Sequence, residues 1–88
     1  MDAAAKLSAL AQPTRLAIFL AIARAKDGVS STEVAQQTET MPANASVHLS
    51  VLRHAGLVRS SKRGRSVIYR AERDALLALS DFLRAAAN

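Results

Sequence analysis

A mainly α-helical domain with one small β-hairpin, in the order α-α-α-α-β-β-α, follows from three observations on the sequence. Apolar residues recur at helical spacing through most of the chain. Two short strand-like runs flank an Arg-Gly-Arg tripeptide. Half of the 88 residues are hydrophobic while only 3% are aromatic, so the core is built from Leu, Ile, Val and Ala. This length predicts one domain over residues 1–88. A chain so short buries only about 60–65% of its unfolded surface, which makes a lone protomer marginal.

Each element has a local reason. Ala3, Leu7, Leu10 and Ala11 form one face of a short helix over residues 2–11. Gln12-Pro13 breaks it, and Pro13 suits the first position of the next helix, although Gln12 is a poor N-cap. Over 13–25, Leu16, Ile18, Phe19, Leu20 and Ile22 are apolar on nearly every side, so this helix should be the most buried. Lys26-Asp27-Gly28 ends it, with Gly28 available as a left-handed cap. Ser30-Ser31-Thr32-Glu33 is a capping box opening a two-turn helix whose inward residues are Val34 and Ala35.

A helix over about 43–55 follows Thr40-Met41-Pro42. At about 100° per residue, Ala45, Leu49 and Leu52 form an apolar back with His48 close by. Ala43, Ser46, Val47, Ser50 and His54 form the front, flanked by Arg53: small side chains that allow close approach to a surface. Met41 cannot accept a capping hydrogen bond, and Thr40 is the candidate to replace it. Gly56 stops this helix. Strands are predicted at 57–62 and 66–70 around Arg63-Gly64-Arg65. A last helix over 73–87 carries Ala75, Leu76, Leu79, Phe82, Leu83 and Ala86 within about 120° of arc. Leu77 points the other way without an explanation.

Charge localises the function. Twelve Lys/Arg against seven Asp/Glu give +5. Arg53, Arg59, Lys62, Arg63, Arg65, Arg70 and Arg73 lie in one stretch whose single acid is Glu72. A short helix, a turn and a second helix with a small polar front are the parts of a helix-turn-helix, and a basic hairpin beyond them is a wing. The front suits a major groove and the hairpin suits phosphates or a narrow minor groove, so double-stranded DNA is the expected partner. The other reading of a basic hairpin is a solvated edge guarded against aggregation.

Other classes fit poorly. With no Cys there is no disulfide, thiolate site or Cys nucleophile, which fits the cytoplasm. No catalytic constellation with a supporting pocket is visible, so the chain reads as a non-enzyme without a cofactor. The longest apolar run, Leu16 to Ala23, is too short for the roughly 20 residues of a bilayer span, and no signal peptide is apparent. A winged-helix protein-interaction module is the alternative, because fold alone does not establish DNA binding.

Three motifs carry a family resemblance. Leu10-Ala11-Gln12-Pro13-Thr14-Arg15-Leu16-Ala17-Ile18, then Ser46-Val47-His48-Leu49-Ser50-Val51-Leu52-Arg53-His54-Ala55-Gly56-Leu57-Val58, then Lys62-Arg63-Gly64-Arg65-Ser66-Val67-Ile68-Tyr69 resemble, in order, the opening, recognition helix and wing of the ArsR family of winged-helix repressors. The likeness covers about residues 7–71. It implies a homodimer, joined through the first and last helices at Leu7, Leu10, Leu76, Leu79, Phe82 and Leu83, that binds an inverted-repeat operator. The recognition helices would stand about 34 Å apart. On the front of the helix, Ala43, Ser46, Val47 and Ser50, together with Asn44, are the residues expected on bases. Arg53, His54, Arg59, Lys62, Arg63, Gly64 and Arg65 then meet the DNA backbone or minor groove.

The sequence departs from the family's metal sensors. The stretch matching their Cys site, Val29-Ser30-Ser31-Thr32-Glu33-Val34, has no thiol, and the last helix has Asp74 and Asp81 but no His. Two carboxylates alone are a poor transition-metal site. His48 and His54 are six apart and cannot chelate from one helix face. No metal is expected. An autoregulated repressor, a small-molecule sensor and a repressor released by a partner protein all stay open, the first being preferred.

Overall fold

The computed structural model describes residues 2–88. Its elements are α1 (Ala3–Leu10), α2 (Pro13–Arg24), β1 (Val29–Ser30), α3 (Ser31–Gln37), α4 (Pro42–His54), β2 (Val58–Arg63), β3 (Ser66–Ala71) and α5 (Arg73–Ala87). The five helices and the hairpin stand where the sequence puts them. β1 is additional: it pairs antiparallel with β3, Val29 opposite Tyr69 and Ser30 opposite Ile68, giving a three-stranded sheet in the order β1-β3-β2. Two residues are too few to show a period-2 alternation, so this strand leaves no signal in the sequence. Among the described residues no helix is long and apolar enough to cross a membrane.

The caps explain the boundaries. Asp2 accepts from the Ala5 N–H at 3.0 Å. Gln12, expected to cap poorly, does cap α2: its Oε1 accepts the Arg15 N–H at 2.6 Å, the longer side chain reaching the same orphan donor as an Asn would. α2 ends at Ala25, earlier than Gly28, which lies in the turn that leads into β1 and donates to the Ala25 carbonyl at 3.2 Å. The capping box forms in full, with the Ser30 hydroxyl and Glu33 carboxylate each taking the other's backbone N–H at 3.1 Å. α4 closes in a Schellman motif. Leu57 N–H bonds the Leu52 carbonyl, Gly56 N–H bonds the Arg53 carbonyl, and Leu57 and Leu52 are both fully buried.

The Ser30 backbone N–H, and then the Ser30 hydroxyl, hold the Glu33 carboxyl below the usual glutamate value. A depressed folded-state pKa stabilises the fold above the unfolded value, and the gain is lost as pH falls through the folded one. Glu33→Gln keeps the hydrogen bond without the titration. Its unfolding midpoint is therefore expected to vary less with pH than that of the parent below about pH 4.3. Parallel acid-side pH dependences in denaturant melts would refute this.

The core gathers Ile18, Phe19 and Ile22 of α2, Val34 and Ala35 of α3, and Ala45, Leu49 and Leu52 of α4, closed by Leu57 and Val58. α2 touches α1, α3, α4 and β3, yet it is not buried all round: Leu16 and Leu20 on its outer side are 39% and 40% exposed. On α1 the inward residues are Ala9, with Ala3, Lys6 and Leu10 half-buried, while Leu7 and Ala11 are exposed. The expected Ala3/Leu7/Leu10/Ala11 face is thus rotated toward Ala9. Leu79 is only 4% exposed within its own protomer, whereas Phe82 and Leu83, one turn further, are 47% and 48% exposed. Leu77 is 63% exposed, and nothing in the structure explains it.

Candidate nucleic-acid interface

α3 and α4 are joined by a tight turn in which Glu39 has φ +51°, the one positive φ outside glycine among the described residues. The Thr38 hydroxyl donates to the Val34 carbonyl at 2.7 Å and the Thr40 N–H donates to the Ala35 carbonyl at 2.9 Å, which closes the turn. The Thr40 hydroxyl bonds the Thr38 side chain and carbonyl, so it does not take over the cap that Met41 cannot supply. The first-turn N–H groups of α4 therefore lack a side-chain partner and point where an anion is favoured.

With Ala45, Leu49 and Leu52 buried, the opposite side of α4 is forced outward. Ala43, Ser46 and Val47 are exposed and Ser50 is half-buried. Asn44 is exposed too, but on the flank, where it lines a hollow with Thr14, Glu39, Met41 and His48. Gly64 and Arg65 form a two-residue turn between Arg63 and Ser66, with Gly64 at φ +62°. Positive φ at the first central position only is the type II′ hairpin turn. Arg63 is thus the last residue of β2 and not part of the loop. A Cβ on Gly64 would meet nothing within 4 Å, so the tip is open to solvent.

The two histidines use Nδ1 in opposite ways. The Arg15 guanidinium, a donor only, contacts Nδ1 of His48 at 3.4 Å, so that nitrogen accepts. Arg15 also donates to the Ala9 and Ser8 carbonyls, and so joins the end of α1 to α4. Nδ1–H of His54 donates to the Ser50 carbonyl at 2.8 Å, which folds that ring onto its own helix and leaves the Nε2 edge outward. The sequence carries no local signal for the Arg15 hub, because its partners lie on two other helices.

The seven-cation cluster divides. Cross-strand partners share a face, so Val58, Ser60, Lys62, Val67, Tyr69 and Ala71 lie on one side of the hairpin and Arg59, Ser61, Arg63, Ser66, Ile68 and Arg70 on the other. Val67 and Tyr69 border a groove of about 210 Å³ against Ser46 and Leu49, so the first face looks toward α4. Arg59, expected at the DNA backbone, is bound to Glu72 through Nη1 in an exposed pair, the one ion pair among the described residues. That pair holds the carboxylate of Glu72, the N-cap of α5, which makes no capping bond. Arg53, Lys62, Arg63 and Arg65 stay exposed and unpaired at the end of α4 and the wing tip. Of the residues expected at the dimer interface, Leu10 and Leu76 pack partly on this protomer's own core and Leu79 is buried, while Leu7, Phe82 and Leu83 are exposed. Among the described residues no group of three or more His, Cys, Asp or Glu could hold a metal ion.

Against this geometry, a helix-turn-helix domain family matches residues 10–61 of the chain. No curated protein sequence matches it. Several solved structures are similar. An ArsR-like transcriptional regulator from Rhodococcus sp. RHA1 has a TM-score of 0.86 at 29% identity, covering 97% of this chain and 78% of its own. A predicted DNA-binding transcriptional regulator from E. coli has a TM-score of 0.76 at 28% identity, covering 96% and 87%. A winged helix-turn-helix DNA-binding domain from Mycobacterium bovis, described as homodimeric and as a possible ArsR-family regulator, has a TM-score of 0.77 at 26% identity, covering 96% and 76%. The chain therefore belongs to the helix-turn-helix domain family, as a DNA-binding transcriptional regulator whose solved structural relatives include regulators described as ArsR-like.

Proposed function

We propose that residues 1–88 act as one DNA-binding domain in a homodimeric, metal-independent repressor that occupies an inverted-repeat operator. The observation that carries this reading is the pairing of a small, uncharged α4 front with four unpaired cations at its end and on the adjoining wing tip. Ala43, Ser46, Val47 and Ser50 meet bases. The serine hydroxyls bond either base type and Val47 or Ala43 touches a thymine methyl. Asn44, on the flank, reaches the groove edge. Arg53, Lys62, Arg63 and Arg65 take phosphates or the minor groove, Gly64 lets the tip approach, and the outward Nε2 of His54 faces the backbone. Such a front carries little base information, so specificity leans on DNA shape read by the wing. The homodimeric state described for the Mycobacterium bovis domain supports the dimer.

Arg63→Ala tests the wing. Affinity for every duplex should fall, and the slope of log K against log salt should flatten by about one unit for each phosphate no longer neutralised. Binding to the DNA upstream of the protein's own reading frame and to a scrambled duplex, across a salt series and with chelator, reads both effects. Unchanged affinity and slope would remove the wing from the interface. Disappearance of operator preference in chelator would remove metal independence.

A further inference from the structure

A second group of cations gathers away from the proposed DNA surface. Lys26, Arg59, Arg70 and Arg73 line one cavity of about 240 Å³ behind the wing, with Glu72 and Asp74 as its only acids. It opens between the end of α2, the end of β3 and the start of α5. It lies on the hairpin face bearing Arg59 and Arg70, opposite the face turned toward α4.

The internal partners do not use up this charge. Arg59 holds Glu72. Arg70 spends one donor on the Ser61 hydroxyl and Arg73 one on the Ala23 carbonyl, both at 3.3 Å. A guanidinium has five N–H donors, so most of theirs stay free. Neither Lys26 nor Asp74 forms an ion pair among the described residues. Four like charges in one hollow repel each other unless a counter-charge enters, and two carboxylates supply half of it. The volume lies below the usual range for drug-sized ligands, which selects a compact occupant.

We propose that this cavity is a binding site for a small polyanion, with phosphate or carboxylate oxygens held by Arg70, Arg73 and Lys26. Bidentate guanidinium contacts are the strong form of such recognition. A ligand there ties the base of the wing to the first turn of α5. The site is separate from the proposed DNA surface and does not depend on it.

The test is an NMR titration of the ¹⁵N-labelled chain with pyrophosphate and then citrate, at fixed ionic strength and with chloride as the control. Saturable shifts at residues 25–26 and 70–74, absent with chloride, are expected. The tighter of the two probes identifies phosphate or carboxylate chemistry. Arg70→Gln and Lys26→Gln should each weaken the binding about tenfold, the worth of one charge-assisted hydrogen bond, while duplex DNA affinity stays unchanged. Unsaturable shifts that appear equally at residues 53 and 62–65 would mean general screening and overturn the proposal. So would binding that neither variant weakens. Duplex DNA that shifts residues 70–74 and displaces pyrophosphate would make the cavity part of the DNA surface, and would also overturn it.

Discussion

Replacing Phe82 and Leu83 together by Asp should leave a folded monomer whose operator affinity is lower by about 10²–10⁴, the avidity factor that separates two linked half-sites from a single one. Both side chains are about half exposed on the outer half of α5, beyond Leu79, where the protomer's own packing ends. Each large apolar side chain covered by a partner contributes about 1.5–3 kcal/mol, whereas a carboxylate there must be desolvated. The fold loses little because neither residue belongs to the buried core. Sedimentation velocity reads the oligomeric state, thermal melts read the fold, and an operator titration reads the affinity. A variant that is still dimeric would remove α5 from the assembly; a monomer that binds the operator as well as the parent would show that dimerisation adds nothing to operator affinity.

Gly28→Ala should have the largest effect on stability of any single methyl addition at the chain's glycines. Gly28 has φ +91°, which any side chain resists. An added Cβ would stand 2.7 Å from Cγ2 of Ile68 and 3.1 Å from the Tyr69 carbonyl oxygen. Ile68 sits in the middle strand and cannot swing aside as a long surface chain would. Combining the left-handed strain with the overpacking gives a loss of about 2–5 kcal/mol. That is a large fraction of the roughly 4–13 kcal/mol expected of a domain this size. Urea unfolding at matched protein concentration measures it, since the proposed dimerisation would make apparent stability depend on concentration. A loss under about 0.5 kcal/mol, the scale of an ordinary surface change, would mean that the turn at 25–28 relaxes freely. Gly64→Ala is the control for backbone strain alone, because Gly64 also has a positive φ, +62°, but a Cβ there meets nothing within 4 Å.

The parts legible in the sequence are those set by chemistry within a few residues. Ser30 and Glu33 specify the start of α3 through mutual hydrogen bonds, and Leu57 after Gly56 specifies the end of α4. The small front of α4 is legible because Ala45, Leu49 and Leu52 fix which side turns inward. Distant partners are not. β1 exists only because Val29 and Ser30 find β3, and Arg15 bonds α1 and α4 at once. The division of the cations is partly available. Once the turn is placed at Gly64-Arg65, register alone sets Arg59 and Arg70 on one face and Lys62 on the other. The pairing of Arg59 with Glu72 needs the fold. The apolar stripe of α5 shows the same limit: its period marks Leu79, Phe82 and Leu83 as one face, but not which of them its own chain already covers.

The sheet also governs how the wing can vary. β1 grips β3 at Ile68 and Tyr69, while two rungs, Lys62–Val67 and Arg63–Ser66, project past that grip before the turn. The wing is a cantilever, clamped at its root and free at its end. Lengthening each arm by two residues advances the cationic end by about 7 Å and returns every side chain to its side. Lengthening each by one residue reverses the tip and exchanges the inward and outward positions of Lys62 and Arg63. Reach along the helical axis of DNA is therefore adjustable only in paired steps, and natural wings on this frame should differ in length by even increments per arm.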